Sequence, residues 1–271
     1  MIEFSLIICV YEKEDPQFLS QCLDSVLAQT RQPDELIIVK DGPLTGGLEK
    51  VINDFPFPNG KKVISLPENK TQGPARAEGV KAAKHDYIAI MDSDDICRPH
   101  RFEKQLKMIA DNPELGLIGG QISEFADDPG YKVAERHVPT AHSEIVKFLK
   151  KRNPFNSMTV MFNRKLVLEA GNYRYFPWFE DYDLWARMIS NGAICANTSD
   201  VLVDARVGSG MYARRRGVSY IRAEWRMQKH LKKSGIINTA GFIRNVALRI
   251  PIRLLPEKAL ARVYNRFARR R

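Results

Sequence analysis

Two acidic clusters hold the residues best suited to chemistry. Asp92-Ser93-Asp94-Asp95 closes the apolar run Tyr87 to Met91, and Glu180-Asp181-Tyr182-Asp183 stands directly before Leu184-Trp185. Together they suggest a metal site and a catalytic base. Three carboxylates within four residues repel one another unless a cation or water satisfies them. Hard oxygen ligands of this kind suit Mg2+ or Mn2+, which keep several waters and bind substrate phosphates as well.

Such carboxylates need elements that aim them at one place. Phe4 to Val10 is a continuous apolar run with β-branched residues, the pattern of a buried strand. Asp15-Pro16 then supplies an N-cap and a first-turn proline to a helix carrying Leu19, Cys22, Leu23, Val26 and Leu27 at helical spacing. The alternation continues with a strand over Leu36 to Val39, a helix with Leu48, Val51, Ile52 and Phe55, and a strand around Val63 to Leu66. An alanine-rich helix over Gly73 to Ala83 leads into the strand ending at Asp92, and a helix over Arg98 to Asp111 follows. This order implies an α/β fold with a doubly wound, mostly parallel sheet of nucleotide-binding type. In such a sheet ligands collect beyond the carboxyl ends of the strands, where Asp92 stands.

Past the strand Leu115 to Gly120 the pattern loosens, with a turn at Asp127-Asp128-Pro129-Gly130. A strand is expected over Asn156 to Phe162, a short helix over Lys165 to Ala170, and a helix over Asp181 to Ser190 ended by Gly192. No repeat or low-complexity linker separates these parts, so the second half is expected to complete a substrate cleft.

The chain of 271 residues is long enough for one large α/β domain with an appendage, or for two small domains. Cys9, Cys22, Cys97 and Cys195 are scattered, which suits free thiols in a reducing compartment. The apolar strand at the N-terminus lacks the pattern of a signal peptide, and no apolar stretch reaches the roughly 18 residues of a membrane span. A cytoplasmic location is the expectation. Net charge is +10, but Arg244 to Arg271 holds nine Arg or Lys against the single acid Glu257. Most of the basicity therefore belongs to the tail.

The ordered set of Ser5 to Tyr11, Asp41-Gly42, Asn69 with Gly73, Arg76 and Gly79, Asp92 to Asp95 and Glu180 to Trp185 resembles the inverting, nucleotide-sugar-dependent glycosyltransferases of family 2. Their fold is GT-A. The resemblance covers roughly the first two-thirds to three-quarters of the chain. It implies that Val10, Tyr11 and Glu12 hold the uridine of a UDP-sugar, that Asp41 meets the uracil edge, and that Arg76 reaches the diphosphate. Taken alone, Asp41-Gly42 reads as an ordinary turn, and Arg76 reads equally as an exposed helix charge. By the same resemblance Asp92 contacts the ribose beside Ser93, and Asp94 binds Mn2+ or Mg2+. Asp181 becomes the general base that takes the proton of the acceptor hydroxyl, with Glu180, Asp183 and Trp178 as acceptor contacts. Phe176, Trp178 and Phe179 suit either a sugar face or the core.

Many relatives carry a histidine metal ligand beyond the base, whereas the only histidine after Asp181 here is His230. Asp204, Arg206 and the loop Gly208 to Met211 occupy the expected place, which makes Arg206 a diphosphate candidate. The expected division is a catalytic part over residues 1–212, its nucleotide half ending at 120, and a basic helical extension over 213–271. In the extension, Ala259, Leu260, Val263, Tyr264 and Phe267 alternate with Lys258, Arg262, Arg266, Arg269 and Arg270. That pattern suits a helix lying on the anionic inner face of the cell membrane, or one docked on its own core. Arg214-Arg215-Arg216 with Lys229, Lys232 and Lys233 extends the charge toward the cleft and suits a polyprenyl-pyrophosphate-linked saccharide acceptor, as in the family members that build O-antigen or capsule repeat units.

The implied activity is transfer of a hexose, galactose or glucose, with a β-linkage. Two other readings compete. A sugar-nucleotide nucleotidyltransferase should carry a glycine-rich phosphate loop after its first strand, which Val10-Tyr11-Glu12-Lys13 is not. A non-catalytic membrane or nucleic-acid-binding protein explains the tail and leaves both acidic clusters without a purpose, so no specific nucleic-acid partner is expected.

Overall fold

The computed structural model describes residues 2–208 and 216–256. Strand β1 (Phe4–Val10) enters helix α1 (Pro16–Leu27), where Asp15 accepts a hydrogen bond from the Gln17 amide at 2.8 Å and Pro16 takes the first turn. Leu19, Cys22, Leu23 and Val26 turn inward at the spacing read from the sequence. Then follow β2 (Glu35–Lys40), α2 (Gly46–Asp54), β3 (Lys61–Ser65), α3 (Gln72–Ala82), β4 (Tyr87–Asp92), the short β5 (Ile96–Cys97) and α4 (Arg101–Asp111). The second half comprises β6 (Leu115–Phe125), β7 (Lys132–Arg136), α5 (His142–Leu149), β8 (Met161–Asn163), α6 (Arg164–Glu169), α7 (Glu180–Ser190) and β9 (Ile194–Arg206). Helices α8 (Gly217–Lys233) and α9 (Thr239–Arg249) and a 3-10 turn over Pro251–Leu254 complete the described chain.

Nine strands form one sheet in the order β3-β2-β1-β4-β8-β6-β9-β5, with β7 paired to β6. β3, β2, β1 and β4 are all parallel, so Val10, Lys40 and Asp92 end at one edge. β8 joins antiparallel to both β4 and β6, while β9 runs parallel to β6. The sheet therefore changes from parallel to mixed beside the strand that carries the first acidic cluster. β6 crosses residues 120 and 121 without a break.

The strand expected over Asn156 to Phe162 is instead a 3-10 turn, Ser157–Thr159, followed by β8. Local bonding explains this. Thr159 gives both its amide, at 2.8 Å, and its hydroxyl, at 2.7 Å, to the Asn156 carbonyl, a closure that competes with an extended chain.

Apolar residues fill both faces of the sheet. One cluster gathers Leu6, Ile8, Leu23 and Phe102, the other Ile7, Ile88, Leu184 and Trp185. Each fully buried side chain of this size contributes on the order of 1.5–3 kcal/mol. A third cluster joins Phe176, Phe179, Tyr182 and Ala186 to Tyr220, Met227 and Leu231 of α8. The start of the basic extension is thus packed on the catalytic part. The remainder of the amphipathic tail read from the sequence, and Ser209 to Arg215, lie outside the described residues.

Two glycines set how closely α3 lies on its neighbours. A Cβ at Gly79 would stand 2.8 Å from Ile7 Cγ2 on β1, and one at Gly73 would stand 2.6 Å from the Arg174 carbonyl oxygen. Both contacts are too short for any side chain. They press the helix carrying Arg76 against the sheet and against the loop that leads into α7.

Candidate active site

A cleft of about 830 Å³ opens at the carboxyl ends of the parallel strands. Val10, Tyr11, Asp41, Asp92, Ser93 and Asp94 line it from the nucleotide half. Trp178, Glu180 and Asp181 line it from the loop before α7 and from that helix's first turn. Residues separated by more than 160 positions therefore face one space.

Arg76 joins the two acidic clusters. Its side chain is 2% exposed, and it donates from Nη2 to Asp92 Oδ1 at 2.5 Å and from Nη1 to Asp181 Oδ1 at 2.6 Å. Burial works against the Arg76 charge, but Asp181 and Asp92 outweigh it and hold its pKa well above the usual arginine value. The expected diphosphate contact is thus a guanidinium already committed to two carboxylates. Of the two readings left open for Arg76, the exposed helix charge does not hold, and the close approach that Gly73 and Gly79 allow brings its helix onto the sheet and the loop before α7.

The three carboxylates of the first cluster point to three different fates. Asp92 also accepts from Gln72 Nε2 at 3.1 Å; burial raises its pKa and Arg76 pulls it back. Asp95 is 2% exposed and accepts from the Arg206 amide at 2.7 Å, anchoring the end of β9. Burial, with Asp94 and Asp92 adding their repulsion, pushes Asp95 well above the carboxylate range. The Asp94 carbonyl accepts from Arg206 Nε at 3.1 Å, and Asp94 lines the cleft with the other two. Repulsion within the triplet is relieved by a guanidinium and by burial of one acid.

Mg2+ and Mn2+ commonly take one or two carboxylates together with substrate phosphates. Among the described residues no three acidic, histidine or cysteine side chains converge as a ready-made cage. The carboxylates that line the cleft, Asp94 among them, are hard oxygen donors of the kind such a cation takes alongside a diphosphate. Asp204 pairs with Arg98 at 2.8 Å.

Asp41 is buried and accepts from the Lys70 amide at 2.7 Å; burial raises its pKa, and the Lys70 and Thr71 amides oppose the rise. Arg206 lies over Phe18 with its guanidinium carbon 3.8 Å from the ring centroid, and donates to the Asp94 carbonyl at 3.1 Å and Gln21 Oε1 at 2.6 Å. It lines the cleft while holding the acidic turn in place. Glu180 is pushed up to about 7, by burial first and by the neighbouring Asp181 second.

Trp178 is 46% exposed, lies 5.6 Å from Tyr220 between ring centroids, and has φ +66°, an unusual backbone state for a bulky residue. Phe176 and Phe179 are core residues of the third cluster. Asp183 does not line this cleft. It is 2% exposed on the back of α7, where Arg187 Nη2 lies at 2.7 Å and His230 Nε2 at 3.2 Å. The physical reason is rotation: two residues along a helix turn the side chain by about 200°, so Asp181 and Asp183 face opposite ways. Burial lowers the His230 pKa, and Asp183 opposes that shift.

Four arginines that the sequence reading did not place also line the cleft: Arg136, Arg152, Arg249 and Arg253. The last two lie inside the basic tail, and their spacing of four was the available sign that they share a face.

The family profile described as "Glycosyl transferase family 2" matches residues 5–171. The chain belongs to this family. This family 2 glycosyltransferase is 44% identical over 269 residues to an uncharacterized glycosyltransferase of Haemophilus influenzae, covering 99% of this chain and 100% of that protein. It is 35% identical over 268 residues to a UDP-Gal:alpha-D-GlcNAc-diphosphoundecaprenol beta-1,3-galactosyltransferase of Escherichia coli, covering 99% of this chain and 97% of that one. Among solved structures, S. aureus TarS 1-349 in complex with UDP-GlcNAc superposes with a TM-score of 0.69 at 15% identity, covering 98% of this chain and 74% of that one. This likeness supports the GT-A fold. No helix among the described residues of the glycosyltransferase is long and apolar enough to cross a membrane.

Proposed function

We propose that this glycosyltransferase moves a hexose, galactose or glucose, from a UDP-sugar to a hydroxyl of a polyprenyl-pyrophosphate-linked saccharide, with inversion to a β-linkage, in the assembly of a bacterial surface polysaccharide. The observation that carries the reading is the single cleft in which Asp181, at the start of α7, faces the Asp92-Ser93-Asp94 turn. The name of the Escherichia coli relative supports the donor and the lipid-linked acceptor. The residue roles are part of the proposal.

Val10, Tyr11 and Asp41 bind the nucleoside, and Asp92 with Ser93 orients the ribose. A divalent cation, when bound with the donor at Asp94, supplies Lewis-acid stabilisation of the departing diphosphate. Asp181 takes the proton of the acceptor hydroxyl as that oxygen attacks the anomeric carbon, in one in-line displacement that needs no enzyme nucleophile. Arg76 holds the Asp181 carboxylate in place at the first turn of α7. Glu180 and Trp178 flank the acceptor. The basic tail keeps the enzyme at the anionic inner membrane surface, beside a lipid-borne acceptor.

UDP release from a panel of UDP-sugars, with Mn2+, Mg2+ or chelator and a sugar-pyrophosphate-lipid acceptor, tests this. One donor should turn over only with metal, and Asp181→Asn should lower kcat by about 100-fold or more. Turnover undiminished in Asp181→Asn would remove the residue as base; turnover of no donor would end the proposal.

A further inference from the structure

Arg136, Arg152, Arg249 and Arg253 come from β7, the segment after α5, the last turn of α9 and the following 3-10 turn. They form one group around residues 149–155. Arg136 Nη2 donates to the Asn153 carbonyl at 3.2 Å, and Arg249 Nη1 to the Lys151 carbonyl at 2.8 Å. Arg249 and Arg253 share Glu224, at 2.6 Å and 3.4 Å. The Tyr182 hydroxyl donates to the Leu149 carbonyl, which ties the group to the helix turn carrying Asp181. All four arginines line the cleft that Asp181 also lines.

Where the donor is read to bind, the arginines present are already engaged: Arg76 by Asp92 and Asp181, and Arg206 by the Asp94 carbonyl and Gln21. Guanidinium forks match phosphate oxygens two at a time, which an ammonium does not do. Arginines are also always charged, so their attraction for an anion does not fade across the physiological pH range.

We propose that these four arginines seat the pyrophosphate of the acceptor, placing its first sugar against Asp181, and that the C-terminal extension is thereby part of the active site. This rests on the acceptor reading given above. Arg249 and Arg253 reach the cleft because Glu224, with no exposed surface, orients both from α8. Arg152 and Arg136, from the segment after α5 and from β7, line the same cleft.

The test is equilibrium binding to the full chain, with and without saturating UDP and Mn2+ so that the donor's diphosphate site is filled in one arm. The two probes are a short-chain alkyl pyrophosphoryl N-acetylglucosamine and the alkyl glycoside of the same sugar. Wild type should prefer the pyrophosphoryl probe by about tenfold or more. Arg152→Gln and Arg136→Gln should each bring that ratio toward one, and Arg152→Lys should restore part of it. These two sites are chosen because changing Arg249 would strand the buried Glu224 charge. Equal affinity for the two probes in wild type, or a ratio unmoved in both glutamine variants, would overturn the proposal. UDP release is scored separately, so a failed transferase reading shows as absent turnover and leaves the binding ratio to decide this point.

Discussion

Arg76 carries two carboxylates across a sequence separation of 105 residues, and it does so with a side chain almost wholly withdrawn from water. Removing one member of such a buried group leaves the others uncompensated, which commonly costs about 3–5 kcal/mol. The guanidinium therefore fixes where Asp92 and Asp181 stand relative to each other before any ligand arrives. Glu180 sits beside this arrangement without sharing it, and its ordinary pKa of 4.5 rises to about 7 because burial and Asp181 both disfavour its charge. The folded state thus binds this proton more tightly than the unfolded chain. Stability from Glu180 is complete below pH 4.5 and is lost as pH rises through about 7. Glu180→Gln should flatten the fall in melting temperature between pH 5 and pH 8, since Asp92 and Asp95 keep their own contributions in both proteins. Thermal denaturation at several pH values checks this, and parallel profiles for wild type and variant would contradict it.

At the level of elements, α7 uses two faces for two purposes. Its front presents Asp181 to the cleft, and its back buries Asp183 between Arg187 and His230 of α8. The two aspartates, alike in sequence, should therefore separate under mutation. Asp183→Asn should cost about 3–5 kcal/mol in denaturant unfolding, because it strands a buried arginine and histidine. Asp181→Asn takes a member from the Arg76 group and should also cost stability, but it should lower kcat by about 100-fold or more, whereas folded Asp183→Asn should keep its turnover. If both variants lose turnover alike, α7 is not divided in this way. The same helix shows what sequence discloses and what it hides. The alternation of strands and helices, and the placement of Asp92 and Asp181 at element ends, were legible because they depend on local periodicity and on the parallel sheet. The clamp by Arg76 was not, since it is a contact between α3, β4 and α7 that no spacing encodes. That Asp183 meets His230 was not legible either, since His230 lies on α8. The missing strand at Asn156 was lost to a local hydroxyl bond that an apolar run conceals.

Across the whole molecule, charge is divided between a cleft that holds most of its acids at the donor end and a chain terminus rich in arginine. Glu257 to Arg271 carries six Arg or Lys against one acid, half of the net +10. This stretch ends the chain after Arg253, so it can be removed without touching the arginines that line the cleft. Each basic residue near an acidic lipid surface contributes on the order of 1 kcal/mol, and the attraction is screened by salt. The full chain should therefore sediment with vesicles containing phosphatidylglycerol at low ionic strength, ignore neutral vesicles, and come off as salt is raised. Deleting residues 257–271 should weaken the anionic partition by at least about tenfold. A water-soluble acceptor analogue should still be glycosylated by the truncated enzyme, because the clustered apolar contacts of α8 with Phe176, Phe179 and Tyr182 keep the cleft assembled. Unchanged partition would assign the tail to its own core instead of the membrane. Loss of activity on the soluble analogue along with partition would show that the tail shapes the cleft itself, since a membrane anchor has nothing to hold when the acceptor is free in solution.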